Sequence, residues 1–464
     1  MATPVRRPDR VCREVWSARD SGFFRDGKAD QLLPDALHAV AAVAVFVVVY
    51  VLIATEKWVT RTAAALGGAA VILALGISDA HAAFFSEESG VDWNVIFLLL
   101  GMMVIVSIMR ETGVFEFLAI WAAKRARGRP FPLMVLLMLI TAGASALLDN
   151  VTTVLLVAPV TILICQRLGL PVVPYLVVEV FASNIGGTAT LIGDPPNIII
   201  ASRGGLSFND FLVHLAPVVL VLIVVLILLC RWLFAGAFRY DEDRVAEIMA
   251  LNEREAIQDR KLLVQSLVVL ALVLAAFVLH PVLHYAPSVV ALLGAGVLVT
   301  VTRVTTEQAL QDVEWATLAF FMGLFVMVGG LVEAGVLSAL AAAIAGFAGE
   351  NLFGFSSVLL WGAAVLSGIV DNIPFVASLS PVIAEIIGPD GEPQVLWWAL
   401  ALGADLGGNA TLIGASANVV VAGIAARNGH PISFWTFTRY GIVVTAATIA
   451  VAHLYVALRY FVLA

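Results

Sequence analysis

The stretch NIGGTATLIGDPPN, residues 184–197, decides the fold, because it returns as DLGGNATLIGASAN at 405–418. Both runs are polar and glycine-rich, and both lie inside apolar segments, 172–203 and 395–426. Lipid offers no hydrogen bonds, so irregular backbone at membrane depth survives only where protein or a wet cavity covers it. An apolar segment interrupted in this way reads as a broken membrane helix. Gly186, Gly187 and Gly193 in the first run, and Gly407, Gly408 and Gly414 in the second, permit the break. Pro195 and Pro196 lack N–H donors and keep the first half-helix from continuing.

Working outward, two further apolar segments, 131–168 and 353–387, are each interrupted at mid-length by Asp-Asn: Asp149-Asn150 and Asp371-Asn372. These read as re-entrant hairpins. The landmarks keep one register. VDW at 91–93 matches VEW at 313–315. Glu111-Thr-Gly113 matches Glu333-Ala-Gly335, and Pro159 matches Pro381, all at a shift of 222. The broken runs match at 221, and Ser207-Phe208 matches Ser433-Phe434 at 226. The chain is therefore two repeats of about two hundred residues, far longer than solenoid units.

Plain spans are expected near 36–54, 62–78, 93–110, 211–232, 262–280, 287–302, 315–332 and 437–461. Composition agrees: 61% of the 464 residues are hydrophobic and 13% charged. Soluble domains carry about a quarter charged, so this is an all-α polytopic membrane protein. The organisation expected is a polar segment 1–35, a first repeat 36–238, a cytoplasmic helical linker 239–261 and a second repeat 262–464. Basic residues cluster at Lys124, Arg125, Arg127 and Arg129 and in the linker, whereas Asp79, Glu87, Glu88, Glu350 and Asp390 mark the opposite side. Lys57, Arg61, Arg303 and Arg427 mark further breaks. Placing basic loops in the cytoplasm starts the repeats on opposite sides, which makes them inverted and puts a site at their interface.

Several function classes drop out. With net charge −8 and no basic block, nucleic acid is no partner. Three scattered cysteines, Cys12, Cys165 and Cys230, offer neither a disulfide framework nor a thiolate metal site. No Walker motif, H-E-x-x-H or Ser/His/Asp pattern supports an enzyme, and no cofactor is expected. The glycines do not fit G-x-G-x-x-G. Helix packing would explain the Gly pairs but not Asp194-Pro-Pro-Asn.

Asp149 and Asp371 carry the strongest signal, since a carboxylate among membrane-length apolar segments must be paired, hydrated, protonated or bound to a cation. The bland reading is that both are turn or cap residues. At the breaks, freed carbonyls with Asn184, Thr188, Thr190 and Asn197, and with Asp405, Asn409, Thr411, Ser416 and Asn418, can coordinate an ion. Asp149, Asp371, Asp405 and Asp194 are the candidate ion- or proton-coupling acids. Asn150, Asn372, Asn197 and Asn418, with Thr190 and Thr411, would orient substrate. Glu179 is read either as a proton relay or as an ion pair near the cytoplasmic side. Trp397-Trp398 reads as an interface anchor. Gly67, Gly68, Gly294 and Gly296 suit close helix contacts.

NIGGTATLIGDPPN, DNIPF and LGGNATLIGASAN together resemble the ion transporter superfamily, which includes arsenite permeases of the ArsB type, NhaD-type sodium/proton antiporters and divalent-anion/sodium symporters. The resemblance runs from about 91 to 440 and is nearest the melanosomal P protein branch. It implies an elevator-type homodimer, with a scaffold from 36–110, 211–232, 262–332 and 437–461 and a transport domain from 131–203 and 353–426. It also implies Na+ at the hairpin tips, where Asp149-Asn150-Val151 and Asp371-Asn372-Ile373 stand in place of the symporters' Ser-Asn-Thr. Two acids there favour cation or proton exchange, or a neutral substrate such as arsenous acid, over simple dicarboxylate binding. The function expected is secondary transport of an inorganic ion or oxyanion-like substrate, arsenite being a candidate, coupled to H+ or Na+. Sodium/proton exchange alone is the alternative, and a chloride-type channel the alternative of another class. The expected location is the plasma (inner) membrane.

Overall fold

The computed structural model describes residues 29–55, 59–86, 89–238, 249, 252–302, 304–388 and 393–463, and these are helical throughout, with no strand among them. Seven helices are long and apolar enough to cross a membrane: Trp93–Arg110, Asn150–Leu168, Ala216–Leu233, Arg260–Val278, Trp315–Glu333, Leu352–Ile369 and Phe434–Val462. The chain is a multi-pass integral membrane protein. Leu220, Leu228 and Leu272 turn large apolar side chains outward, as lipid-facing helices do. Helices Trp93–Arg110 and Trp315–Glu333 are mostly covered on all sides.

The two repeats give the same order of elements. Helix Trp93–Arg110 corresponds to Trp315–Glu333, hairpin arms Pro130–Ser145 and Asn150–Leu168 to Leu352–Ile369 and Asn372–Ile387, and half-helices Val172–Gly187 and Pro195–Gly204 to Val395–Gly407 and Ser416–Arg427. Small matched features recur with the order. Gly113 and Gly335 adopt the left-handed conformation that an L side chain resists, each turning the chain from one of these helices into the next one. Ser207 and Ser433 each cap the following helix.

The packing crosses between repeats. Helix Arg61–Ala74 lies on Trp315–Glu333, and Pro287–Thr302 lies on Trp93–Arg110. Likewise, Pro195–Gly204 packs on the hairpin arm Asn372–Ile387, and Ser416–Arg427 on Asn150–Leu168. Neither repeat can therefore complete its core alone.

Several expectations change. Helices Val114–Arg125 and Val336–Glu350 fill stretches where no span was expected. Both are short, at 12 and 15 residues, below the length that marks a plain span. Most of the linker expected to be helical lies outside the described residues, and its end forms one short turn, Glu253–Ala256. That turn docks on helix Val114–Arg125: Lys124 Nζ meets Glu253 Oε2 at 2.6 Å, and Gln258 N donates to Thr112 O at 3.1 Å. Lys124 holds the Glu253 carboxyl below its ordinary range. Trp397 and Trp398 are buried, not interfacial. Helix Val395–Gly407 is enclosed on every side, and Trp398 stacks on His214 at 4.6 Å. Gly68 and Gly294 do sit at close contacts, but Gly67 and Gly296 face outward with open space.

Each hairpin also approaches its broken helix closely, backbone against backbone. A Cβ on Gly186 would lie 2.3 Å from Ala142 O, and one on Gly407 would lie 2.5 Å from Ala364 O. Both obstacles are backbone, so the helices would have to separate. Gly186→Ala and Gly407→Ala are each expected to cost about 1–3 kcal/mol, read as a lower midpoint of thermal unfolding in detergent. Gly67→Ala, at an open position, is the control and is expected to leave the midpoint in place.

Candidate ion and substrate site

The breaks are built alike in both repeats. Ser145 Oγ donates to Ser183 O at 2.7 Å, and its counterpart Ser367 Oγ donates to Ala404 O at 2.6 Å. Thr190 Oγ1 ties the first break to hairpin carbonyl Ala146 O, and Thr411 Oγ1 ties the second to Gly368 O, both at 2.6 Å. Asn197 Nδ2 spans its break to Thr190 O at 3.0 Å and to Gly187 O at 3.4 Å. Asn418 Nδ2 does the same to Thr411 O and Gly408 O, both at 2.8 Å. Carbonyls freed by the breaks are thus satisfied in part by the protein's own amides, as buried backbone requires. Thr190 and Thr411 use their hydroxyls to fix the hairpins in place.

The hairpin tips divide labour between neighbouring residues. Asp149 caps helix Asn150–Leu168, accepting from Thr152 N at 2.8 Å. Asp371 caps Asn372–Ile387, accepting from Ile373 N at 3.1 Å. The adjacent asparagines point inward and meet on one carboxylate. Asn150 Nδ2 donates to Asp194 Oδ2 at 2.8 Å, and Asn372 Nδ2 reaches Asp194 Oδ1 at 3.3 Å. Asp194, fully buried at the first break, therefore joins the tips of both repeats.

Asn184 is the second junction. Its Nδ2 donates to Asn409 Oδ1 at 2.9 Å and to Asn418 Oδ1 at 3.1 Å, while its Oδ1 accepts from Asn150 at 3.3 Å. The residue matching Asn184 in the second repeat is Asp405. It faces Thr188 and Asn197, the counterparts of Asn409 and Asn418. There the symmetry fails chemically. An ionised Asp405 has no donor to offer Asn197 Oδ1, and the amide of Asn197 and the hydroxyl of Thr188 are already bonded elsewhere. Both Asp405 oxygens, Asn197 Oδ1 and Asn150 Oδ1 are buried without a hydrogen-bond partner.

Arg61 was read from sequence only as a marker of a loop. The structure brings its Nη1 to 3.2 Å from Asp371 Oδ2 and 2.5 Å from Ser416 Oγ, and Ser416 Oγ donates to Asp371 Oδ2 at 2.6 Å. No sequence pattern links residues 310 positions apart. Glu179 lies outside this constellation. It accepts from Thr161 Oγ1 and has no ion-pair partner among the described residues. No cluster of three or more His, Cys, Asp or Glu suited to a metal ion occurs among the described residues.

A bundle of membrane-length helices wrapped around a buried core of carboxylates and amides, drawn from two repeats, belongs to the class of membrane transporters. The chain is a member of the CitMHS family, described as citrate transporter, which it matches over residues 50–403. It is 57% identical to an uncharacterized transporter of Mycobacterium tuberculosis, over 92% of this chain and 99% of the relative. It is 33% identical to the P protein of Mus musculus, over 92% of this chain and 62% of that longer protein. Among solved structures, the YdaH transporter of Alcanivorax borkumensis shares the fold with a TM-score of 0.59 at 14% identity, covering 92% of this chain and 98% of that one.

Proposed function

We propose that the chain is a secondary active transporter in which Asp405 carries the coupling proton and Asp194 senses occupancy through both hairpin tips. The observation that carries this reading is the exchange of Asn184 for Asp405 at equivalent places. Asn184 holds its half of the site by donating to two side-chain oxygens. A protonated Asp405 has one O–H and can donate to Asn197 Oδ1 in the same manner. An ionised one leaves a buried charge whose two oxygens have no hydrogen-bond partner, which is costly. Loading and unloading a proton thus tightens and loosens one half of the site. Na+ is the second reading, supported by the four buried oxygens without donors, since hard cations take oxygen ligands.

The substrate class we propose is a small anion or oxyanion. The family description, citrate transporter, supports this choice, and arsenite stays in the panel. Asn150 and Asn372 are the proposed substrate-orienting residues, because they reach Asp194 from opposite repeats. Asp149 and Asp371 frame the tips and complete the set of exchangeable acids. Movement is proposed to follow an elevator plan, with hairpins and broken helices sliding against the frame of a homodimer. Flux of citrate, phosphate and arsenite in proteoliposomes, under imposed H+ or Na+ gradients, tests the reading. Uptake driven by a proton gradient is expected, and uptake indifferent to either gradient would defeat it.

Inversion of the repeats is tested separately. Arg127 is exposed after helix Val114–Arg125, and Asn351 is exposed after Val336–Glu350, at corresponding points. Single cysteines at the two positions are expected to react with an impermeant thiol reagent from opposite faces of the membrane. Labelling from one face alone would show that the repeats run in parallel.

A further inference from the structure

We propose that Arg61 is a switchable anion-binding residue, held by Asp371 while that carboxylate is charged and handed to an anionic substrate when Asp371 takes up a proton. The proposal rests on the transport reading above and names the group that meets the substrate.

The two tips are not equivalent. Asp149 accepts from its own helix at Thr152 N. Asp371 has in addition a guanidinium and a serine hydroxyl, closing a three-way contact of Arg61, Ser416 and Asp371. The residue matching Ser416 in the first repeat is Pro195, which has no hydroxyl. Both contacts to the tip use Nη1 of Arg61. A guanidinium carries five N–H donors in a planar fork shaped for carboxylates and oxyanions, so it can meet a second acceptor. The Phe320 ring, 5.8 Å from the guanidinium carbon, steadies its plane. About a quarter of the side chain is exposed, at 26%, so it is reachable.

The surrounding charges explain why a handover is needed. Tyr50 and Asp194 lie within electrostatic reach of Asp371, and Glu314 within reach of Arg61. An anion approaching this acidic neighbourhood is repelled while every carboxylate is charged. Protonating Asp371 removes one negative charge and frees the guanidinium in the same step. The half-buried cation then exchanges one anionic partner for another and is never left alone, which is the state that costs most. The contact also joins separate parts of the molecule. Arg61 stands on a helix packed against Trp315–Glu333, whereas Asp371 and Ser416 belong to a hairpin and a broken helix. Any sliding between those parts must break the bond, so the handover ties movement to proton and substrate together.

The test uses the purified full chain in detergent and reads thermal unfolding with citrate, phosphate, arsenate or chloride, at acidic and at neutral pH. At least one anion is expected to raise the midpoint, and more so at acidic pH. Arg61→Gln is expected to weaken that anion about tenfold or more, the scale of a lost charge-assisted contact. Arg61→Lys, which keeps charge without the fork, is expected to retain part of the effect. Asp371→Asn is expected to make the anion effect equal at both pH values. Stabilisation by none of the four anions, full stabilisation of Arg61→Gln, or an unchanged pH dependence in Asp371→Asn would each overturn the proposal. If anions bind as expected but gradients drive no flux, the transport reading fails and this one stands.

Discussion

Asp405→Asn is expected to stop proton-driven uptake while making the protein more resistant to heat. The reason is the matched pair of junctions. Asn184 donates to Asn409 and Asn418, whereas Asp405 faces Thr188 and Asn197 with two oxygens that find no donor. An asparagine at 405 supplies the missing N–H and removes the ionisable group. One buried hydrogen bond gained is worth about 1 kcal/mol, which raises the unfolding midpoint. The variant mimics the protonated state permanently and has no proton to release. Proteoliposome uptake and thermal unfolding, measured on the same preparation, check both halves of the expectation. Uptake at the wild-type rate with an unchanged pH profile would remove Asp405 from the coupling mechanism, whatever its effect on stability.

Asn184→Leu is expected to have the largest cost to the fold. It removes a side chain that binds three other asparagines, Asn150 in its own repeat and Asn409 and Asn418 in the other. Two buried acceptors, Asn409 Oδ1 and Asn418 Oδ1, lose a donor. At about 1–3 kcal/mol for each buried group left unpaired, the loss is about 2–6 kcal/mol. That is a large share of the stability of an ordinary fold. A strongly lowered unfolding midpoint, with loss of monodisperse protein on size-exclusion chromatography, is the expected result. Asn184→Asp separates packing from hydrogen bonding, since it keeps the volume and loses the amide donors. If it unfolds at the wild-type midpoint, the amide junction contributes nothing to stability.

The two variants also separate the roles of equivalent positions. In the first repeat the position holds an amide and binds the halves together. In the second it holds an acid, which on the proposed reading makes a contact that opens and closes with the proton. A duplicated chain can keep one copy as a structural joint and turn the other into a switch because the burden of holding the interface is shared.

The sequence by itself determined the membrane setting, the duplication, and the location of the polar breaks. These follow from local chemistry. Lipid forbids exposed irregular backbone, so glycine runs and Asp-Asn pairs inside apolar segments must mark protected, buried turns. The hairpins at 131–168 and 353–387 and the breaks within 184–197 and 405–418 were legible for that reason. Asp149 and Asp371 could be placed at the tips, and both cap helices there, so the cap reading holds for each. Only the tertiary structure decided which groups meet. It placed Asn150 and Asn372 on Asp194, set Asp405 against Asn197 and Thr188, and brought Arg61 to Asp371. It also buried Trp398, which looked like a surface anchor when neighbouring helices were out of view. Periodicity reports which face of a helix avoids water. It does not report which partner, hundreds of residues away, covers that face. Hydrogen bonds and ion pairs between repeats depend on distances of about 3 Å, and those are set by the packing of helices whose pairing no local pattern encodes.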